Sequence, residues 1–475
     1  MITRLFTKKS VESLIQEANL EDGEGLQRTL GVVNLTTLGI GAIIGAGIFV
    51  VTGQVTASYT GPAIIISFIL AAIGCAFCGL CYAEFAAMIP VAGSAYTYTY
   101  ATLGEFVAWI IGWNLILEYT FAVATVAVGW SGYVVSVIKD IGIIIPPGLA
   151  NESLNLPAMF VVTLMMILQV VGVHESTKFN NFIVVVKTTV ILLFIFFGLS
   201  YIDRQNWIPF IPENTGEFGE FGWSGILRGA GIIFFTYIGF DAVSCAAQEA
   251  RNPQQDMPIA ILGSLSIATV LYICTALVLT GIVPYPQLNV PDSIALAVDA
   301  VGAELRWLSP LIKIGAIAGM SSVILVLLLG QSRILYALAT DGLLPAKIAA
   351  IHPKFKTPYV AIILSGIVAI FLAGLLPISL LAELVSIGTL MAFGIVCIGV
   401  LILRQTQPDL HRPFKTPLVP LVPVLGVLIC GVQMLSLSGA TWLRLVVWVV
   451  IGLVIYLTYS RKNSKLNILE KNQLE

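Results

Sequence analysis

The chain has 475 residues, of which 58% are hydrophobic and only 11% are charged, and its mean hydropathy is +0.96. A composition this apolar excludes an ordinary soluble globular domain and indicates an integral membrane protein embedded in a lipid bilayer. The formal net charge of −2 and the lack of a basic stripe in the sequence argue against a nucleic-acid partner.

The amino-terminal segment, residues 1–31, is polar. It lacks the short apolar region and the small-residue cleavage site that mark a secretory signal peptide. We therefore expect it to be retained as a cytoplasmic segment.

Twelve apolar runs follow, each long enough for a helix to cross a hydrocarbon core, which takes about 20 residues. Irregular backbone exposed to lipid would leave polar groups unsatisfied, so each run is predicted to be helical and the fold all-α. An even number of crossings places both termini on the same side. We call the runs spans 1 to 12, and they cover residues 32–54, 62–89, 104–138, 156–173, 179–201, 225–247, 258–283, 307–339, 358–377, 382–403, 418–437 and 441–459.

The positive charges predict which side that is. With the termini inside, 17 of the 24 lysines and arginines fall on the inner side, five fall outside and two, Lys187 and Lys313, lie within spans. Inner loops carry the excess of positive charge in membrane proteins, so cytoplasmic termini in the plasma membrane are expected.

Glycines interrupt spans 1 and 6, which hold GIGAIIGAGIF (39–49) and FFTYIGFDAVS (234–244). Both spans are predicted to be broken near mid-membrane, and a unit of five crossings makes a second such unit inverted, as in many secondary transporters. The predicted organisation is a cytoplasmic segment 1–31, a first repeat 32–201, an extracellular loop 202–224, a second repeat 225–403, spans 11 and 12 within 404–459, and a cytoplasmic tail 460–475.

The motif GIGAIIGAGIF in span 1 has more than one interpretation. The GxxxG spacing of Gly41 and Gly45 would also suit close helix packing. A dinucleotide-binding turn would need a preceding strand, which the sequence does not predict. An unwound segment would present free N–H groups to a carboxylate and free carbonyls to an ammonium, so it would suit a zwitterion.

The matching stretch of span 6 places an aromatic cluster and an acid beside its predicted break. Phe235 fits either a pocket or simple packing, and Asp241 fits either a pocket or a helix N-cap. Glu118, about fourteen residues into span 3, is another deep ionisable group, to which a pocket or gating role is assigned.

Lys187 lies among valines and isoleucines in span 5, eight residues beyond Phe179. That is about 12 Å along a helix, in a core about 30 Å thick. Inserting a charged lysine there costs about 2.5 to 3.5 kcal/mol, and deprotonating one at pH 7 costs about 4.6 kcal/mol. The costs are similar, so Lys187 suits either a carried proton or a permanent bond to the backbone of an unwound helix.

The sequence offers no catalytic constellation. His174, His352 and His411 lie in predicted cytoplasmic loops, and neither a nucleophile motif nor a phosphate loop is present. The cysteines lie within apolar segments, and Cys75, Cys78 and Cys81 are expected to be packing residues rather than metal ligands. An enzyme and a resident cofactor are therefore not expected.

Six ordered motifs together resemble the amino acid/polyamine/organocation (APC) superfamily, and within it bacterial relatives of the cationic amino acid transporters. They extend over almost the whole chain: GAIIGAGIF in span 1, YAEFAAMIPVAGSAYTY (82–98), FFTYIGFDAVS in span 6, QEARNPQQDMPIAI (248–261), SRILYALATDGLLP (332–345) and LRQTQPDLHRPFKTPLVP (403–420). The resemblance implies a five-plus-five inverted-repeat fold of the leucine-transporter type with two extra helices.

The resemblance also implies site residues. It places the substrate's backbone against Ile43, Gly45, Ala46, Gly47, Phe235, Thr236 and Ile238. Phe235 would be an aromatic lid, and Lys187 matches a lysine that proton-coupled members carry in span 5. The implied function is secondary transport of an L-amino acid by alternating access with a proton as the coupling ion. An exchanger of amino acids or polyamines and a non-transporting amino acid sensor are the alternatives, and the sequence leaves open the amino acid, the oligomeric state and any small membrane subunit.

Overall fold

The computed structural model describes residues 7–10, 30–89, 93–143, 145–150, 154–172, 177–466 and 468. The secondary structure of these residues is helical apart from two isolated β-bridges, one between Leu30 and Ala250 and one between Ala150 and Asn155. The predicted all-α class is therefore confirmed.

Each of the twelve predicted spans contains helix. The main helices are Val32–Ile43 and Thr52–Val55 in span 1, Ile64–Met88, Glu105–Asp140, Leu156–Val171, Thr177–Gly198, Gly222–Ile233 and Phe240–Cys245 in span 6, Pro253–Ile282, Leu308–Thr340, Tyr359–Leu375, Ile378–Thr406, Leu421–Ser436 and Gly439–Ile455. Among the described residues, eight helical stretches are long and apolar enough to cross a membrane, and three more are apolar but shorter. The chain is thus a multi-pass membrane protein, whereas twelve crossings, their division into an inverted repeat and the domain limits stay predictions.

Spans 1 and 6 are interrupted where glycine predicts it. In span 1 the helix Val32–Ile43 stops, Ile44 takes an extended conformation with ψ of 96°, and π-helical and α-helical turns resume from Gly47. In span 6 the helix Gly222–Ile233 continues as a 3₁₀ turn to Tyr237, and a new helix starts at Phe240. We call residues 44–46 the span 1 break and residues 238–239 the span 6 break.

The interrupted spans lie at the centre of the helix bundle. In span 6, 89% of the most apolar window is buried inside the protein, whereas in span 12 only 22% is. The first half of span 1 packs against spans 5, 7 and 8 and against the second half of span 6. The breaks are therefore enclosed by protein, where non-helical backbone can find polar partners.

Local sequence signals set the ends of the span 4 helix. The structure also has two helices that the predicted spans do not include. Asn155 accepts the backbone N–H of Ala158 through its side chain at 3.1 Å, and Gly172, with φ of 79°, ends the helix in the left-handed conformation. The additional helices are Ser94–Thr102 and Ser293–Val301.

The structure shows where the described cysteines and histidines lie. Cys78 of span 2 is fully buried, with its Sγ 3.5 Å from that of Cys430 and 3.7 Å from that of Cys397, so the thiols pack together between spans 2, 10 and 11. His352 and His411 lie in connections between helices, and His174 lies outside the described residues.

Candidate functional site

The two breaks face each other across a small cavity. Its free volume is about 20 Å³, room for about one water molecule, so the cavity is nearly closed in this conformation. All seven residues predicted to contact a substrate line it, together with five others: Ile43, Gly45, Ala46, Gly47, Phe235, Thr236 and Ile238, with Ala42, Ala122, Val126, Val323 and Leu327.

Lys187 reaches the span 1 break from span 5. Its side chain is fully buried, and its Nζ donates to the backbone oxygen of Gly41 at 2.5 Å and to that of Ile44 at 2.8 Å. The last carbonyls of a helix have no partner within the helix, and the end at Ile43 creates such carbonyls here. The buried ammonium and the interrupted backbone thus satisfy each other.

A glycine of span 8 makes room for this lysine. A Cβ added to Gly319 would lie 3.1 Å from Cδ of Lys187, so a larger residue there would push against the lysine stem. Span 8 therefore leaves room for the Lys187 side chain at Gly319, and it also provides residues that line the cavity.

Tyr272 of span 7 connects the two interrupted spans. Its hydroxyl lies 2.7 Å from the backbone oxygen of Ile43 and 2.8 Å from that of Thr236. Sequence reasoning missed Tyr272, because one tyrosine in an apolar helix gives no sign that its hydroxyl bonds two interrupted helices.

Gly239 and Asp241 shape the span 6 break. Gly239 occupies the N-cap position of the helix Phe240–Cys245, and its N–H donates to Oδ1 of Asp241 at 3.0 Å. Oδ2 of Asp241 accepts from the hydroxyl of Tyr119 at 3.0 Å. Asp241 is therefore in the first turn rather than at the cap, and it lies outside the cavity lining.

Glu118 lies one helical turn before Ala122, behind the cavity lining rather than in it. Its side chain is fully buried, and neither carboxylate oxygen has a hydrogen-bond partner among the described residues. The nearby hydroxyl of Thr389 donates to the backbone oxygen of Val385 instead, at 2.9 Å. A deep ionisable group without partners marks a functional position in a membrane protein, so the gating hypothesis for Glu118 stays open.

Phe235 is buried against the cavity and fixed through its backbone. Its N–H donates to Oγ of Ser386 at 3.2 Å, and that hydroxyl donates to the backbone oxygen of Ile232 at 2.9 Å. Span 10 thereby holds the segment of span 6 that precedes the break. The position agrees with a lid over the cavity, a role that stays a prediction.

Interrupted helices that meet at a cavity within a helical membrane protein define a transporter-type architecture. A family model described as "Amino acid permease" matches residues 30–456. The chain therefore belongs to the amino acid permease family of the APC superfamily, which confirms the resemblance read from the motifs, and the family implies an amino acid substrate.

Proteins similar in sequence to this chain are named for different substrates. The methylthioribose transporter of Bacillus subtilis (strain 168) is 46% identical over 98% of this chain and 100% of its own length. The branched-chain amino acid permease BcaP of the same organism is 46% identical over 98% of this chain and 99% of its own. Cationic amino acid transporter 4 of Mus musculus is 30% identical over 97% of this chain and 91% of its own. All three are transporters or permeases by name, which points away from an enzyme.

Proposed function

We propose that this protein imports an L-amino acid across the plasma membrane by alternating access, together with a proton. The observation that carries the proposal is the contact of Lys187 with the backbone oxygens of Gly41 and Ile44, because it couples a titratable group to the helix break beside the cavity. The family supports an amino acid as substrate.

The breaks supply groups for both ends of a zwitterion. The backbone N–H groups at Gly45, Ala46 and Gly47 open the second half of span 1, and the positive end of a helix dipole favours the substrate's carboxylate. Carbonyls of the two breaks accept from the substrate's ammonium. This arrangement recognises the part common to all amino acids.

The chemistry of Lys187 supports the proposed proton coupling. As an ammonium it makes charge-assisted hydrogen bonds to the span 1 carbonyls, and on losing its proton it loses the charge that strengthens them. The first half of span 1 is then freer to move. A change in solvation between outward-open and inward-open states shifts the balance between the two forms.

Uptake of labelled amino acids into liposomes containing the purified protein tests the coupling. With an inward proton gradient we expect stimulated uptake by the wild type and, for Lys187→Ala, a loss of about tenfold or more, since charge-assisted hydrogen bonds contribute about 1.5–3 kcal/mol each. Some substrate binding should remain in the variant, because the cavity residues are unchanged.

Lys313→Ala is the matched control. Lys313 is also a buried lysine within a span, but its Nζ lies 2.6 Å from Oδ2 of Asp140 and away from the breaks. This variant should keep its response to the gradient. Undiminished gradient-driven uptake by Lys187→Ala would contradict the coupling proposal. The role of Lys187 would then be structural only.

Two other activities give different results in the same liposomes. An exchanger requires substrate on the far side before any label enters, and a sensor binds substrate without flux. The name of the methylthioribose transporter also makes methylthioribose a second candidate substrate. Uptake of labelled methylthioribose that no amino acid inhibits would replace the amino acid proposal.

A further inference from the structure

The cavity has a wall that neither break provides. Ala122 and Val126 of span 3 and Val323 and Leu327 of span 8 line it, and all four are aliphatic. If the breaks hold the carboxylate and the ammonium, the substrate's side chain faces this wall. The following inference therefore rests on the proposed function.

We infer that the substrate is a neutral amino acid with an aliphatic side chain, and that Ala122, Val126, Val323 and Leu327 select it. None of the twelve described residues that line the cavity is charged, and Thr236 alone among them has a polar side chain. A lysine or arginine side chain would leave its charge desolvated and unpaired against this wall, which is strongly unfavourable.

Neither Asp241 nor Glu118 supplies the missing charge. Asp241 lies outside the lining and holds the N–H of Gly239 and the hydroxyl of Tyr119. Glu118 is one turn behind Ala122 and is not part of the lining. A cationic side chain in the cavity therefore meets methyl groups rather than a carboxylate.

Val323 sets the depth of the cavity at the aliphatic wall. A Cβ added to Gly45 would lie 3.1 Å from Cγ2 of Val323, so this valine packs directly on the span 1 break. Ala122, on the neighbouring helix, is the small residue that leaves space beside it. Truncating the valine should deepen the cavity, and enlarging the alanine should fill it.

Thr236 adds one polar contact at the edge of this wall. Its side chain is 1% exposed, and its hydroxyl has no hydrogen-bond partner among the described residues. Buried hydroxyls are normally bonded, so this one is available to a polar atom of the substrate. One neutral hydroxyl cannot pair a full positive charge, and the wall therefore still selects against cations.

Competition against labelled leucine uptake in liposomes tests the inference, with norleucine and lysine as matched probes because they differ mainly in the terminal ammonium. We expect valine, isoleucine and norleucine to inhibit, and lysine and arginine to inhibit at least about tenfold less well. Inhibition by lysine equal to that by norleucine overturns the inference.

Substitutions in the wall test the residues themselves. Val323→Ala should raise the preference for leucine over alanine, and Ala122→Val should lower it, each by about tenfold, since one methylene is worth about 10–200-fold in an apolar pocket. Leu325→Ala, on the same helix but outside the lining, should leave the ratio unchanged.

The ratio of two substrates within one variant is independent of expression, and Val323→Ala decides alone if Ala122→Val does not fold. An unchanged ratio in the folded wall variants overturns the assignment of these residues. Uptake of no amino acid by the wild type would contradict the proposed function instead, so the two failures are distinguishable.

Discussion

At Gly239 the backbone takes φ of 124°, a conformation that residues with a Cβ rarely adopt, and it does so against another backbone. A Cβ there would lie 2.7 Å from the carbonyl carbon of Ala42 and 2.9 Å from the nitrogen of Ile43. The glycine thus lets the span 6 break touch the end of the first helix of span 1. A side chain would push the two breaks apart.

Gly239→Ala should therefore abolish most transport. Left-handed backbone costs a non-glycine residue about 1–3 kcal/mol, and the clash with the backbone at Ala42 adds to it because backbone cannot rotate away. Uptake and thermal unfolding of the purified variant measure the effect.

Gly263→Ala is the control, since a Cβ at Gly263 meets only a methyl group of Thr36 at 3.8 Å. In the middle of the helix Pro253–Ile282, alanine is favoured over glycine by about 1 kcal/mol. Equal uptake by the two variants would contradict the role given to Gly239.

Single residues differ in how far the sequence reveals them. Lys187 is conspicuous because a charge in an apolar helix needs an explanation, and the structure places it on the backbone that the sequence marks as interrupted. Val323 and Leu327 give no such signal. They are chemically equivalent to lipid-facing residues such as Val185, so only packing shows which aliphatic residues line a cavity.

Among the elements, the interrupted spans were predictable and the helix Ser94–Thr102 was not. Its sequence, SAYTYTYAT, alternates tyrosine and threonine, a period typical of a strand. All nine of its residues are buried, and the hydroxyls of Tyr96 and Tyr100 donate to Asp341 and Glu105. Tertiary contacts therefore decide the conformation of this segment against its local preference.

The connection between spans 10 and 11 is built on Arg412. Its guanidinium donates to four backbone oxygens, at 2.7–3.1 Å, and its Nε lies 3.3 Å from Oε1 of Glu84 in span 2. Glu84 also accepts from Arg404 and from the N–H of Thr416. The cluster fixes the connection to two helices.

Arg412→Ala should destabilise the protein by about 3 kcal/mol, because hydrogen bonds to charged groups contribute about 1.5–3 kcal/mol each and several partners would be left buried. Thermal unfolding in detergent measures the loss. Lys415→Ala, an exposed lysine in the same connection, should change the transition little. Equal melting temperatures for the two variants would show that the cluster contributes nothing.

At the scale of the whole molecule, the distribution of lysine and arginine predicts the orientation. Glu217 lies in the predicted extracellular loop and Lys462 in the predicted cytoplasmic tail, and both are exposed. A membrane-impermeant maleimide added to intact cells should label Glu217→Cys and should label Lys462→Cys only after the cells are opened.

The parent protein controls for its own thiols, of which Cys75, Cys78, Cys81, Cys397 and Cys430 are buried. The reverse labelling pattern would show that the protein has the opposite orientation in the membrane. Labelling of both sites in intact cells would require an even number of crossings between them instead of the predicted seven, and the predicted layout would then be wrong.

Tyr272, which connects the two interrupted spans, has only one hydroxyl hydrogen to share between two carbonyls. When that hydrogen points to Ile43, the oxygen of Thr236 keeps its lone pairs for another donor, and when it points to Thr236, the oxygen of Ile43 does. The protein therefore holds both interrupted helices together with one group, while one acceptor at the cavity is always left for a donor that arrives from outside.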